Sequence, residues 1–342
     1  MNYNLTEQEE YILSSIKIAS ENDPQNPEFP SDNPNFPATP TYKIEIEGFD
    51  NIWFKDESFN PTWTHKDRMA WEIVVTYRDF LLAKKNWQIK WSLPHMSIIS
   101  SGSAAIAIQT QLKKYKLPNL KVLVDTNIDK KIYDTLIFLW AEVYKTDLSK
   151  KELSWKDILK LTNNLNGFDI TSSDALSPTN VFYDWLSYEI INNSPDYCFI
   201  PFGTWNLYEN ILNVNRKEIK TQNHDPRFQG DIEKLRKCNF IGATTNDTNS
   251  KAALKLYSPH LPFSHFWDQW IGLFKYSWFC GPLSDVQIIQ ENSLDEAILY
   301  AQKHNINAEP SALAGLALFF QMKDTILKDK KILIVSTWKS KI

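Results

Sequence analysis

Apolar and polar side chains alternate through YKIEIEG at residues 42–48, and a second mixed run, NIWFKDE, follows at 51–57; both predict strands. The pattern then changes period. HKDRMAWEIVVTYRDFLLAKK, residues 65–85, repeats its apolar positions at three and four and predicts an amphipathic helix. MSIIS is a short apolar strand, SGSAAIAIQTQLKKYKL a helix opened by small residues, and LKVLVDTN a buried strand, which together make a β-α-β unit. A second such unit begins at YCFIPFG, residues 197–203, a strand that runs directly into the helix TWNLYENILNVNRKEI. The strand CNFIGAT, the helices SLDEAILYAQKHN and PSALAGLALFFQMKDTI, and the strand KKILIVST complete the series.

Strands alternating with helices predict an α/β fold with mostly parallel sheets covered on both faces. Ligands of such sheets bind beyond the carboxyl ends of strands, where loops enter helices. Residues 24–40 hold six of the seventeen prolines and predict an extended segment, because proline fixes φ and removes an amide donor. The expected organisation is an extended lead-in over 1–42, a larger domain from 43–80 with 180–342, and a smaller one over 81–179.

Composition narrows the function classes. The 342 residues suit about two domains, and 43% hydrophobic with 23% charged residues is globular. A net charge of −4, with no block of lysine or arginine, gives no footprint for nucleic acid or an anionic membrane surface. Cys198, Cys238 and Cys280 are far apart and odd in number, so neither a disulfide framework nor a zinc site is expected. The N-terminus has no long apolar core and no run approaches the roughly 18 apolar residues of a spanning helix, so a cytoplasmic location is expected. His260 and His265 lie in an aromatic loop without a nearby third ligand, and Trp267, Trp270 and Trp278 suit a core or a subunit interface.

Three loop-to-helix turns and one strand end carry the unusual residues. In NPTWTHKDR, residues 60–68, Lys66 opens a helix: either Thr64 and Asp67 simply cap it, or a desolvated amine of lowered pKa stands ready as a nucleophile. In SSGSAA, Ser100, Ser101, Gly102, Ser103 and Ala104 present amides and hydroxyls to an anion such as a carboxylate, or cap a helix. PFGTWNLYEN places Gly203 where a phosphate can sit on a helix N-terminus, without the repeated glycines that allow close backbone approach. Thr337 ends the last strand. Nine glycines in the whole chain is a low number, which makes Gly102 and Gly203 more telling.

In this order the motifs resemble the fold type II family of pyridoxal-phosphate enzymes, which includes threonine synthase, serine/threonine dehydratase, cysteine synthase and the tryptophan synthase β subunit. The resemblance runs from TPTYKI at 39–44 to STWKS near the end; FKDESFNPTWTHKDR is its most specific piece and is closest to the threonine synthase pattern. It implies two three-layer α/β/α domains with the cofactor cleft between them, a homodimer, and pyridoxal 5′-phosphate held by Lys66 as a Schiff base. It further implies that Ser101, Gly102, Ser103 and Ala104 hold the substrate's carboxylate. Gly203, Thr204, Trp205, Asn206 and Leu207 take the cofactor-phosphate loop, Thr337 the pyridine nitrogen, and Glu309 a place close to the cofactor.

A hydroxyl at the ring nitrogen favours β- or γ-elimination or replacement on a small amino acid. The chain departs from the family pattern at Ser103, where asparagine is usual, and at Trp205 and Trp338, where glycine is usual. These changes either reshape the cofactor site or obstruct it, and in the second case the chain is a fold-retaining relative that serves as a ligand-binding or interaction protein.

Overall fold

The computed structural model describes residues 5–21, 34, 36, 39–150, 153–171, 181–203, 206–256 and 280–339. His260, His265, Trp267, Trp270 and Trp278 lie outside the described residues, as do Thr204 and Trp205. The chain divides into two compact units, one of Met1–Pro37 with Lys66–Phe182, the other of Ala38–His65 with Tyr183–Ile342.

The first unit carries a four-stranded parallel sheet. Its strands are β3 (Met96–Ile99), β4 (Lys121–Asp125), β5 (Glu142–Thr146) and β6 (Phe168–Asp169), in the spatial order β5-β4-β3-β6. Strand β3 is buried along its whole length, as expected of a strand covered on both faces. Helices α2 (Lys66–Lys85) and α3 (Ser103–Lys114) pack on each other and bury Val74, Tyr77, Leu81, Ala107, Ile108 and Leu112. Helices α4 (Lys130–Phe138) and α5 (Trp155–Leu161) complete the unit.

The expected extended lead-in is corrected at its start, where Glu7–Glu21 form helix α1. Ile12, Leu13 and Ile16 are buried at helical spacing, and Glu9 and Glu10 pair with Lys84 and Lys85 at the end of α2, at 2.6 and 3.1 Å. The domain boundary near 80 shifts for the same reason. Helix α2 belongs with α1 and α3, so the division falls at 65/66, directly before Lys66.

The second unit is built on a six-stranded sheet: β1 (Thr41–Ile46), β2 (Phe49–Asp56), β7 (Tyr197–Pro201), β8 (Asn239–Thr244), β9 (Asp285–Ile288) and β10 (Ile332–Ser336), in the spatial order β1-β2-β10-β7-β8-β9. The β1–β2 hairpin is antiparallel and every other pairing is parallel. Helices α6 (Asp184–Ile191), α7 (Asn206–Lys220), α8 (Ile232–Leu235), α9 (Ala253–Leu256), α10 (Glu291–Lys303) and α11 (Ala314–Met322) surround it. Ile52, Phe54, Phe199, Ile241, Ile332 and Ile334 form one face of the core with Leu294, Leu316 and Phe319 of α10 and α11. Strands β2, β10 and β7 share a direction, so Asp56, Ser336 and Pro201 stand at the same sheet edge, the carboxyl ends.

Candidate active site

The loop that delivers Lys66 is braced by the polar residues that precede it. Lys55, only 2% exposed, donates to the Thr39 carbonyl at 2.8 Å and pairs with Glu189 at 2.5 Å, with Glu57 at 3.6 Å. A buried ammonium is tolerated only with such partners, so this cluster ties the 39–57 segment to α6. Asp56 accepts from the Ser58 amide at 2.9 Å and caps a 3-10 turn over Glu57–Phe59. Asn60 Nδ2 donates to Glu57 Oε2 at 2.7 Å, and the Asn60 carbonyl accepts the Trp63 amide at 2.8 Å. FKDESFN is therefore a scaffold for the turn that follows.

That turn is clasped to the extension of β10. Thr64 and Trp338 form an antiparallel bridge, the His65 amide donates to the Thr337 carbonyl at 2.9 Å, and the Lys339 amide donates to the Trp63 carbonyl at 3.1 Å. His65 Nδ1 lies 3.1 Å from the same Thr337 carbonyl, and because a carbonyl only accepts, Nδ1 carries the proton. Thr64 is thus a bridge residue, and His65 stands directly before the helix in the place expected of Thr64. Trp63 sits at φ 60, a conformation that costs a bulky residue roughly 1–2 kcal/mol and that clusters at functional sites. Lys66 follows at once as the first residue of α2, and burial pulls its pKa down to about 8.

In the first unit, the turn between β3 and α3 is braced by its own first serine. Ser100 Oγ accepts from the Gly102 and Ala105 amides at 3.0 and 3.3 Å, which makes it the brace of the turn. The amides of Ser103 and Ala104, in the first turn of α3, meet no acceptor among the described residues. Gly102 adopts φ 131, and a Cβ there would lie 2.6 Å from Ile132 Cγ2, so only glycine forms this turn. Ser101 is exposed and Ser103 and Ala104 are half-buried.

In the second unit, Gly203 follows β7 and precedes α7; a Cβ there would lie 2.5 Å from the Lys255 carbonyl, so position 203 is closed to any side chain. Asn206 starts α7 and Leu207 points into the core, 5% exposed, leaving its backbone as the part open to a ligand. The Glu309 carbonyl accepts from Ala312 and Leu313, and its amide lies 3.5 Å from the Trp338 carbonyl, which places it beside the clasp. Thr337 is 8% exposed, its carbonyl engaged by His65.

Sequence reasoning passed over Ser336 and read Trp338 only as a departure from the family's glycine. Ser336 Oγ is fully buried without a hydrogen-bond partner among the described residues, and so is Trp338 Nε1. Orphaned buried polar atoms cost free energy until a partner meets them. In the first unit, a lysine of lowered pKa suits an aldehyde carbon; in the second, a buried hydroxyl and a buried indole N–H suit polar ligand atoms.

The sequence pattern of the pyridoxal-phosphate dependent enzyme family matches residues 35–224, more than half of the chain. The chain belongs to this family. Its cofactor is pyridoxal 5′-phosphate. The matched range contains Lys66, the β3–α3 turn and Gly203, whereas Glu309, Ser336 and Thr337 lie beyond it. No curated protein matches the sequence.

Among solved structures, the chain is similar to O-ureido-L-serine synthase, with TM-score 0.61 and 14% identity over 98% of this chain and 92% of the other. It is similar to a hydrogen sulfide-producing enzyme from Fusobacterium nucleatum, with TM-score 0.58 and 18% identity over 88% and 95%. Threonine deaminase isoform 2 from Solanum lycopersicum is also similar, with TM-score 0.56 and 14% identity over 86% and 80%. Identities this low carry the fold alone. Among the described residues no helix is long and apolar enough to cross a membrane, and no group of His, Cys, Asp and Glu is placed to hold a metal ion. The three cysteines are free; burial raises Cys280 to about 11, which removes it as a nucleophile at neutral pH.

Proposed function

We propose that this chain catalyses β- or γ-elimination or replacement on a small amino acid, with Lys66 as its catalytic residue. The observation that carries the reading is the placement of Lys66: an amine with a pKa lowered to about 8, set immediately after a clasp that fixes His65 to Thr337. An amine with that pKa is partly neutral at physiological pH and can both attack a carbonyl carbon and hold a proton.

When bound, pyridoxal phosphate supplies an electron sink conjugated to the substrate's Cα. Around it, the Ser103 and Ala104 amides would hold the substrate's carboxylate at the positive end of α3, with Ser101 and Gly102 shaping the turn. Lys66 Nζ would hold the cofactor's aldehyde carbon, with loss of water, until the substrate's amino group displaces it, and the freed amine would then take or return the proton at Cα. The hydroxyl of Thr337, or the unpartnered hydroxyl of Ser336, would meet the ring nitrogen. A hydroxyl there leaves the nitrogen uncharged, which favours loss of a β- or γ-substituent over amino-group exchange. Gly203, Asn206 and Leu207 would offer backbone to the phosphate, and Glu309, whose amide lies 3.5 Å from the Trp338 carbonyl, would lie close to the cofactor. The same reading takes a small amino acid as substrate, a homodimer as the assembly and the cytoplasm as the location.

The test is an absorbance titration of purified protein with pyridoxal phosphate, followed by borohydride reduction and peptide mapping. Attachment at Lys66, absent in Lys66→Ala, supports the reading. Serine, threonine and their O-activated derivatives are then screened for release of the side-chain substituent. A protein that takes up cofactor at another lysine, or none, overturns it.

A further inference from the structure

The four parallel strands of the first unit begin in register: Met96 pairs with Phe168, Ser97 with Lys121, and Lys121 with Glu142. This amino edge is the opposite end of the sheet from the β3–α3 turn. Two apolar groups stand on it. Between α4 and β5, Phe138 is 74% and Trp140 66% exposed, with Ile137 exposed beside them. At β6, the rings of Trp91 and Phe168 meet each other and Phe80, and Leu165, just ahead of Phe168, is 74% exposed. Strands β5 and β6 are the outer strands of the sheet, so the two groups lie about 14 Å apart, three strand spacings. Lysines collect on the same edge: Lys113 and Lys114 in the last turn of α3, Lys116 just after it, and Lys160 in the last turn of α5. Glu142 does not offset them, because Lys121 pairs with it at 3.4 Å; Glu9 and Glu10 are matched by Lys84 and Lys85. The Lys113 ammonium lies 4.4 Å from the ring centre of Trp140 and 5.2 Å from that of Phe138, so charge and aromatic face are presented together. Helix dipoles account for lysines at helix ends and leave the exposed rings without a role. Trp140 also sits at φ 73 just past α4, where glycine or asparagine is usual, so neither backbone preference nor burial explains an indole there.

We propose that this edge docks the protein on an anionic lipid surface. Phe138 and Trp140 on one side, and Trp91, Leu165 and Phe168 on the other, enter the boundary between headgroups and acyl chains, while Lys113, Lys114, Lys116 and Lys160 meet the lipid phosphates. That boundary takes aromatic and aliphatic side chains alike, whereas nucleic-acid bases would stack on the rings and leave Ile137 and Leu165 in water. The lysines select an anionic surface over a zwitterionic one. No block of lysine marks the edge in the sequence; the parallel sheet brings residues 113–116 and 160 to one end of the unit. The docking is independent of the cofactor chemistry and leaves the β3–α3 turn at the far end of the sheet.

The test is sedimentation of the full chain with sucrose-loaded vesicles of phosphatidylcholine, alone or with about one-third phosphatidylserine. Binding is expected to be about ten-fold or more tighter to the anionic vesicles and to weaken as salt is raised toward roughly 1 M. Trp140→Gly removes the ring and suits the positive φ, so its thermal midpoint should equal or exceed the parent's while vesicle binding weakens about five-fold or more. Lys114→Glu combined with Lys116→Glu, at two exposed positions, should weaken binding to anionic vesicles by a similar factor and leave the thermal midpoint in place. Equal binding to both vesicle types, binding to neither, or binding unchanged in Trp140→Gly overturns the proposal. Self-association without vesicles that Trp140→Gly abolishes assigns the edge to a second copy of the chain and overturns it as well. Cofactor attachment at Lys66, measured separately, is expected to be the same in every variant.

Discussion

His65 gives two donors to one acceptor: its amide and its Nδ1 both reach the Thr337 carbonyl, at 2.9 and 3.1 Å. With the Thr64–Trp338 bridge and the bond from Lys339 to Trp63, this sews the turn before Lys66 onto the extension of β10. Lys339→Pro removes one of these donors while keeping an extended backbone. It is expected to cost about 1 kcal/mol, a fall of roughly 2–4 °C in thermal midpoint, and to slow cofactor attachment at Lys66. An unchanged attachment rate in a destabilised variant would separate the clasp's structural effect from any effect on the amine.

Trp63 at φ 60 allows a test of stored backbone strain. Trp63→Ala and Trp63→Gly both remove the ring, so their difference isolates the backbone. In an extended or helical position alanine is the more stable of the pair; here Trp63→Gly is expected to exceed Trp63→Ala by about 1 kcal/mol in denaturant unfolding. Equal stability would mean that the turn relaxes once the ring is gone.

Gly102→Ala is expected to destabilise the first unit by roughly 1–3 kcal/mol, because its Cβ would press on Ile132 Cγ2 and its φ of 131 suits only glycine. Adding Ile132→Ala should restore only part of the loss, since it opens space and leaves the backbone conformation. Full restoration would show that crowding, and not φ, sets the glycine requirement.

Ser336→Ala removes a buried hydroxyl that has no partner among the described residues. The cofactor-free protein should be as stable as the parent or more so by about 1 kcal/mol, whereas cofactor affinity should fall. Thr337→Val measured beside it decides which hydroxyl meets the ring nitrogen.

The lowered pKa of Lys66 makes a signed prediction. The rate of cofactor attachment should rise with pH through a midpoint near 8, as the amine loses its proton, and Lys66→Arg should abolish it. The same shift acts on folding. Between about 8 and the ordinary lysine value of 10.5 the unfolded chain holds a proton that the folded one has released, so stability contributed by this group increases with pH across that window. Below 8 both states hold the proton and the full penalty of burying the charge remains.

Much of this was legible in the residues. Strand β10, ILIVS, is buried at every position and reads as a nearly continuous apolar run, which is why mostly parallel sheets could be anticipated. Lys66, Gly102 and Gly203 were visible because loop-to-helix turns are where such sheets place ligands. What stayed hidden was tertiary. Nothing local in NYNLTEQEEYILSS announces that Glu9 will meet Lys84, so α1 was read as part of an extended lead-in. Ser336 reads as one more strand residue, and its lack of a partner appears only once the sheet is assembled. Lys255, in SKAALKLY, carries no signal at all until its carbonyl is found against Gly203 and its ammonium over Trp338.

Strand β10 lies between β2 and β7 in the sheet, although it is the last strand along the chain. During synthesis, then, the hairpin β1–β2 and the β7–β8–β9 group are made long before the strand that joins them, and each exposes an unpaired edge until residues 332–336 leave the ribosome. The first unit, whose sheet is made of residues 96–169, can close much earlier. Folding of the second unit should therefore be the slow, aggregation-exposed step, and the last strand to be made is also the one that brings Ser336, Thr337 and Trp338 into place, so no site on that sheet exists before the sheet itself is whole.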